Sequence, residues 1–179
     1  MLFENAVTKI LKEEGGYVND PRDSGGATNR GITQKVYDAW RKKKNLDPQP
    51  VKLSTKLEAI EIYEGIWQDC KASELPPGLN LVHFDFAVNA GNRRAAMVLQ
   101  EILNVRIDGI IGPKTLAAAH EKPVEESIKA YSSRRLIFYQ RVVVRKPTNR
   151  AFIRGWTLRT NRVEKAALQS ISPQLPPAA

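Results

Sequence analysis

The sequence is short of histidine, of cysteine and of long apolar runs, and each shortage closes off a class of function. Its two histidines, His83 and His120, stand in no cluster with metal-ligand spacing and beside no candidate nucleophile, which removes most of the support for a metal centre or a histidine-based triad. Cys70 is the only cysteine, so no internal disulfide can form and cysteine usage gives no argument for an oxidising compartment. No apolar run approaches the roughly 20 residues that cross a bilayer. The stretch from Met1 to Ala6 has neither a basic n-region nor an apolar h-region, so the expectation is synthesis in the cytosol without a secretory signal. No internal repeat stands out, and no cofactor is expected.

What is present is ordinary for a globular protein. The 179 residues are 42% hydrophobic and 26% charged, which fits one domain built as two lobes with a sizeable core. The charge is placed unevenly. From Lys122 to Lys165 there are twelve Lys and Arg against three Glu and no Asp, so this segment carries the whole net charge of +9. A basic face implies an anionic partner such as a polymer, a membrane or a nucleic acid, or else a solvated helix surface.

The chain is organised around Glu14 and the glycine-rich stretch after it. Phe3, Val7, Ile10 and Leu11 recur at helical spacing, and Glu14 extends that apolar stripe while Glu13 falls on the polar flank. Gly15-Gly16 then ends the helix. A carboxyl group on an apolar face at the negative end of a helix is disfavoured as an anion, and this is what a general acid working near neutral pH requires. The run from Asn19 to Thr33 is turn chemistry, so a small hairpin is expected. Asp23 lies in it, nine positions after Glu14. Asp20 and Asp23 are close but lack the alternating oxygen ligands and closing glutamate of a calcium loop.

Glu14-Gly15-Gly16-Tyr17 followed by Asp23-x-Gly25-Gly26-x-Thr28-x-x-Gly31-Ile32-Thr33 resembles the glycoside hydrolase 108 muramidases, lysozyme-like enzymes of phages and of bacterial protein export. Ile62-Tyr63-x-x-x-Trp67 is similar to that family's Tyr/Trp helix, and Phe84 to Gly91 to its second core helix. Leu99-Gln100 leading to Asp108-Gly109-x-x-Gly112-Pro113-x-Thr115-Leu116 resembles its peptidoglycan-binding segment, and Phe152-x-x-Gly155-Trp156 its closing aromatic motif. The resemblance implies a mainly α, α+β lysozyme-like fold. Two lobes would flank a glycan cleft, 1–80 catalytic and 81–165 peptidoglycan-binding, with a disordered proline-rich tail at 172–179. It implies Glu14 as the acid and Asp23 as the second carboxylate. Related phage lysozymes add a Thr; here the Thr after Asp23 is one position closer, so Thr28 and Thr33 are both candidates. Tyr17, Thr33, Asn89, Trp156 and Arg159 are the candidate substrate-binding residues.

The remainder is read from pattern. Asp38 to Lys52, with Arg41-Lys42-Lys43-Lys44 and two prolines, is expected to be a polar connection without helix. Thr55 and Glu58 make a capping box. Val82 to Ala90 reads as a buried central helix in which Asp85 and Asn89 satisfy internal hydrogen bonds. Arg94 to Leu103 is helical, Pro113 opens another helix, and a longer one from Val124 carries Ile128, Tyr131, Arg135 and Phe138.

The expected reaction is hydrolysis of the β-1,4 bond between N-acetylmuramic acid and N-acetylglucosamine by a monomer. Its site of action would be the periplasm, reached through a holin or another export route. The expected partner is peptidoglycan, with no nucleic acid and no membrane span. A non-catalytic wall-binding module and a nucleic-acid-binding helical domain are the alternatives from other classes, and chitin is the nearest alternative substrate.

Overall fold

The computed structural model describes residues 3–13, 16–19 and 26–172, with only the backbone course described at 9–13. Helix α1 (Phe3–Glu13) buries Ala6 and Val7. A two-stranded ribbon follows, β1 (Thr28–Asn29) and β2 (Ile32–Thr33), antiparallel with Thr28 opposite Thr33. Its two-residue turn holds Arg30 at φ 51° and Gly31 at φ 76°, the left-handed pair that matches strand twist in a tight hairpin.

Helix α2 (Gln34–Lys43) starts where the Thr33 side chain accepts from the Val36 N–H. This corrects the expectation of an irregular connection from Asp38. Val36, Tyr37 and Trp40 give the segment an apolar stripe, and Arg41, Lys42 and Lys43 lie in its last turn, where cations suit the helix dipole. The prolines act only after the helix has ended. Tyr37 is buried and stacks on Trp40 with centroids 5.9 Å apart.

Helix α3 (Lys56–Asp69) carries the expected Thr55–Glu58 capping box and buries Ala59, Ile62, Tyr63 and Trp67. Helix α4 (Leu79–Ala90) is buried from Leu79 through Ala87 and forms the centre of the molecule. Phe84 on α4 meets Trp67 edge-on at 5.0 Å, and Phe3 packs against both rings. Fully burying one such ring stabilises by about 1.5–3 kcal/mol, so this aromatic cluster fixes α1 against α3 and α4.

Helices α5 (Asn92–Leu103) and α6 (Pro113–Glu121) lead to α7 (Val124–Arg145) and α8 (Arg150–Ile171). The last two are 22 residues each, joined by a short turn, and pack along one another. Gly78 begins α4 at φ +84°, where a Cβ would lie 2.8 Å from Ile128 Cδ1 and 3.0 Å from the Ala167 carbonyl. Only glycine permits that approach of α4 to α7 and α8. Among the described residues no helix is long and apolar enough to cross a membrane.

Candidate active site

Glu14 and Asp23, the two candidate carboxylates, lie outside the described residues, as does Gly25. The structure describes the segments next to them in the chain. Val18 and Thr28 exchange two backbone hydrogen bonds of 2.8 Å, which ties the chain after α1 to the hairpin. Gly26 sits at φ +70°, a conformation open to glycine and costly for other residues. Tyr17 is 42% exposed, with the Lys52 ammonium 5.6 Å from its ring centroid.

Two groups hold the hairpin, and the sequence flagged only Tyr63. The buried Asn29 amide donates to the carbonyls of Val51 and Lys52 and to Ser54 Oγ, at 3.1–3.3 Å. The Tyr63 hydroxyl donates to the Arg30 carbonyl. Because α3 carries Tyr63 and Trp67 on one buried face, it supports both α1 and the hairpin. The signal for Tyr63 was its place in the apolar stripe, since a buried tyrosine needs a partner for its hydroxyl.

The two threonines differ in their tasks. Thr28 and Thr33 are directly paired across the ribbon and so share a face. Thr33 Oγ1 is the N-cap of α2, with Val36 N at 3.4 Å. Thr28 Oγ1 donates locally to the Gly26 carbonyl at 3.2 Å, leaving its lone pairs outside that bond.

The other candidates gather where α4, α7 and α8 meet. Asp85 is fully buried on α4. Arg135 Nη1 lies 2.5 Å from its Oδ2, and Arg159 reaches Oδ1 with Nη2 at 2.7 Å and Nε at 3.0 Å. Burial would push this carboxyl up; Arg159 and Arg135 together outweigh it and hold it below the usual range. Arg159, expected at the substrate, is held in this internal ion pair. A carboxylate with no access to water requires such counter-ions. From Arg135 the network runs outward: its Nε donates to the Tyr139 hydroxyl at 3.0 Å, and that hydroxyl donates to Asn89 Oδ1 at 2.6 Å. Asn89 is exposed at the end of α4. Trp156, half-buried, stacks on Tyr139 with centroids 4.8 Å apart, and Phe152 lies beside it at 5.9 Å. The arrangement presents an amide and an aromatic edge, the two surfaces that suit an N-acetyl sugar.

Deeper in the fold, His83 is enclosed, with Nε2 3.1 Å from the Cys70 carbonyl and Nδ1 3.2 Å from the Tyr131 hydroxyl. Burial lowers its pKa to about 4, and burial pushes the Cys70 thiol up to about 12. Among the described residues no group of three or more His, Cys, Asp or Glu could hold a metal ion.

Comparison with known proteins matches two consecutive segments of the chain. Residues 7–91 match the Glycosyl hydrolase 108 family, a span that begins within α1 and includes the hairpin and α4. Residues 94–161 match a Predicted Peptidoglycan domain. No curated protein matches. Among solved structures the chain is similar to Brucella abortus SagA, at 36% sequence identity and a TM-score of 0.85, covering 97% of this chain and 98% of that one. A glycoside hydrolase segment is thus followed directly by a peptidoglycan-binding one, and the chain belongs to the glycosyl hydrolase 108 family.

Proposed function

We propose that this glycoside hydrolase is an N-acetylmuramidase that cuts the β-1,4 bond from N-acetylmuramic acid to N-acetylglucosamine in peptidoglycan. The observation that carries the reading is the joining of the two matched segments in one chain, with Glu14 and Asp23 inside the first. Glu14 protonates the leaving oxygen. Asp23, as a carboxylate, stabilises the oxocarbenium-like transition state or orients water, and the separation of the two carboxylates sets the stereochemical outcome. Thr28 holds that water, a role favoured by the capping task that occupies Thr33. Tyr17, Asn89 and Trp156 position the sugars.

The protein acts as a monomer on glycan strands in the periplasm, after passage from the cytoplasm through a holin or another export route. Its task there is phage lysis or the passage of secreted protein through the wall. Mass analysis of fragments released from purified sacculi tests the chemistry: muramic acid is expected at every new reducing end. Reducing N-acetylglucosamine ends would overturn the bond assignment. Binding without release would make the chain a wall-binding module.

A further inference from the structure

Between α5 and α7 the surface opens into a groove of about 360 Å³. Met97, Ile107 and Phe138 contribute to its apolar floor. Met97 is 39% and Ile107 50% exposed, so the groove leaves apolar surface uncovered. The place of Ile107 is built into the fold. Buried Gln100 clamps the next loop residues: its Nε2 donates to Asp108 Oδ1 at 2.7 Å, and its Oε1 accepts from the N–H groups of Asp108 and Gly109. Gly109 completes the loop at φ +77°. The motif around Gln100 and Asp108 thus displays Ile107 on the groove wall.

The rim is cationic. Arg94, Arg134 and Arg141 line it, against Glu101 as the one acid. Glu101 Oε1 lies 3.3 Å from Arg134 Nη2, so it offsets one of the three charges. Arg94 lies over the Phe138 ring at 5.7 Å, which fixes its guanidinium at the mouth and covers the aromatic face a nucleobase would need. A neighbouring depression shares Arg94 and Met97 and reaches Ala90 and Gly91, directly after Asn89. The groove therefore leads to the end of α4, where the candidate sugar contacts lie.

We propose that this groove binds the peptide stem of peptidoglycan, its carboxylates on Arg94, Arg134 and Arg141 and its alanine methyls on Met97 and Ile107. The proposal rests on the peptidoglycan reading above and assigns a site for the peptide that the glycan strand carries. Charge complementarity selects this occupant. Each stem bears several carboxylates and small apolar side chains, and it branches from the muramic acid next to the bond to be cut. A groove with an apolar floor and a net positive rim fits such a chain better than it fits an uncharged glycan.

The probe is the sugar-free peptide L-Ala–γ-D-Glu–diaminopimelate–D-Ala, titrated into the full-length protein with its methionine and isoleucine methyl groups observed by NMR. Saturable shifts of the Met97, Ile107 and Ile137 methyls are expected. Arg134→Gln/Arg141→Gln should weaken binding by roughly tenfold, the loss of two exposed charge contacts. The same variant should cut peptide-free glycan strands at the normal rate. Absence of methyl shifts, shifts indifferent to the arginines, or equal binding of the fully amidated peptide would overturn the proposal. So would shifts that follow protein concentration without peptide, which would make the groove a contact between two copies, or displacement of the peptide only by an oligonucleotide. A failure of the muramidase reading is seen separately, in the reducing ends of the cut strands.

Discussion

The hydroxyl of Tyr139 donates to Oδ1 of Asn89 at 2.6 Å while accepting from Nε of Arg135 at 3.0 Å. A hydroxyl has one proton, and the arginine can only donate, so the direction of both bonds is fixed. The Asn89 carboxamide is thereby oriented with its oxygen inward. Tyr139→Phe should cost about 1–3 kcal/mol, the penalty for leaving buried groups unpaired, and should raise KM on peptidoglycan more than it lowers kcat. Chemical denaturation and steady-state kinetics on sacculi check both parts; an unchanged KM would remove Asn89 from the substrate site.

Asp85 and its two arginines form the buried ionic centre. Asp85→Asn should destabilise by about 3–5 kcal/mol, because it leaves desolvated cations without their counter-charge. Arg159→Gln should do damage of the same kind that salt does not relieve. Arg154→Gln, at an exposed position, should instead weaken sacculus binding at low salt and matter little at high salt. Pull-down of sacculi across a salt series, with thermal melts of each variant, separates the two behaviours.

His83 predicts a window of acid sensitivity. Its folded pKa is about 4, while the unfolded chain takes up the proton near 6.5. Between those values the unfolded state binds more protons, so stability falls as pH drops through that range, by about 3 kcal/mol in all. Asp85 adds a second loss only below the ordinary Asp value near 3.9, where the unfolded carboxyl takes up a proton that the depressed folded one does not. Urea denaturation at pH 7 and pH 5 should show the first loss in the native protein and not in His83→Gln. A flat profile in the native protein would contradict the buried neutral imidazole.

Gly26 tests the hairpin. A Cβ there would meet nothing described within 4 Å, but φ is +70°. Gly26→Ala should therefore cost about 1–2 kcal/mol from the backbone alone, and Gly26→Asn less. Equal melting of both variants and the native protein would show that this backbone angle is not needed.

Much of this fold was legible because its signals are local. The capping box at Thr55 and Glu58, Pro113 at a helix start and the apolar stripes of α3 and α7 each need only a few neighbouring residues. Helix α2 departs from the expectation because Pro48 and Pro50 break helix only where they stand, after its end, while Val36, Tyr37 and Trp40 form a helical stripe before them. The ion pair was half visible. Asp85 inside an apolar run and Arg135 inside an apolar stripe each signal a buried charge in need of a partner. Nothing local says that they meet each other across 50 residues, or that Arg159 joins them. The sequence places Arg159 only among the candidate substrate-binding residues. Asn29 gave no signal at all, since its three partners lie more than twenty residues away.

The account turns on Glu14 as the acid, and Glu14→Gln measures it most directly. The amide keeps the size of the side chain and can still donate a hydrogen bond, but it has no transferable proton. General acid catalysis contributes about 10²–10⁴-fold, so release of reducing muramic acid ends from purified sacculi should fall by at least that order. Circular dichroism and melting should stay native. Glu13→Gln, the neighbouring carboxylate expected on the polar flank, should remain nearly active, and Asp23→Asn should fall between the two. A folded Glu14→Gln protein with near-native release, or an inactive Glu13→Gln protein beside it, would contradict the account.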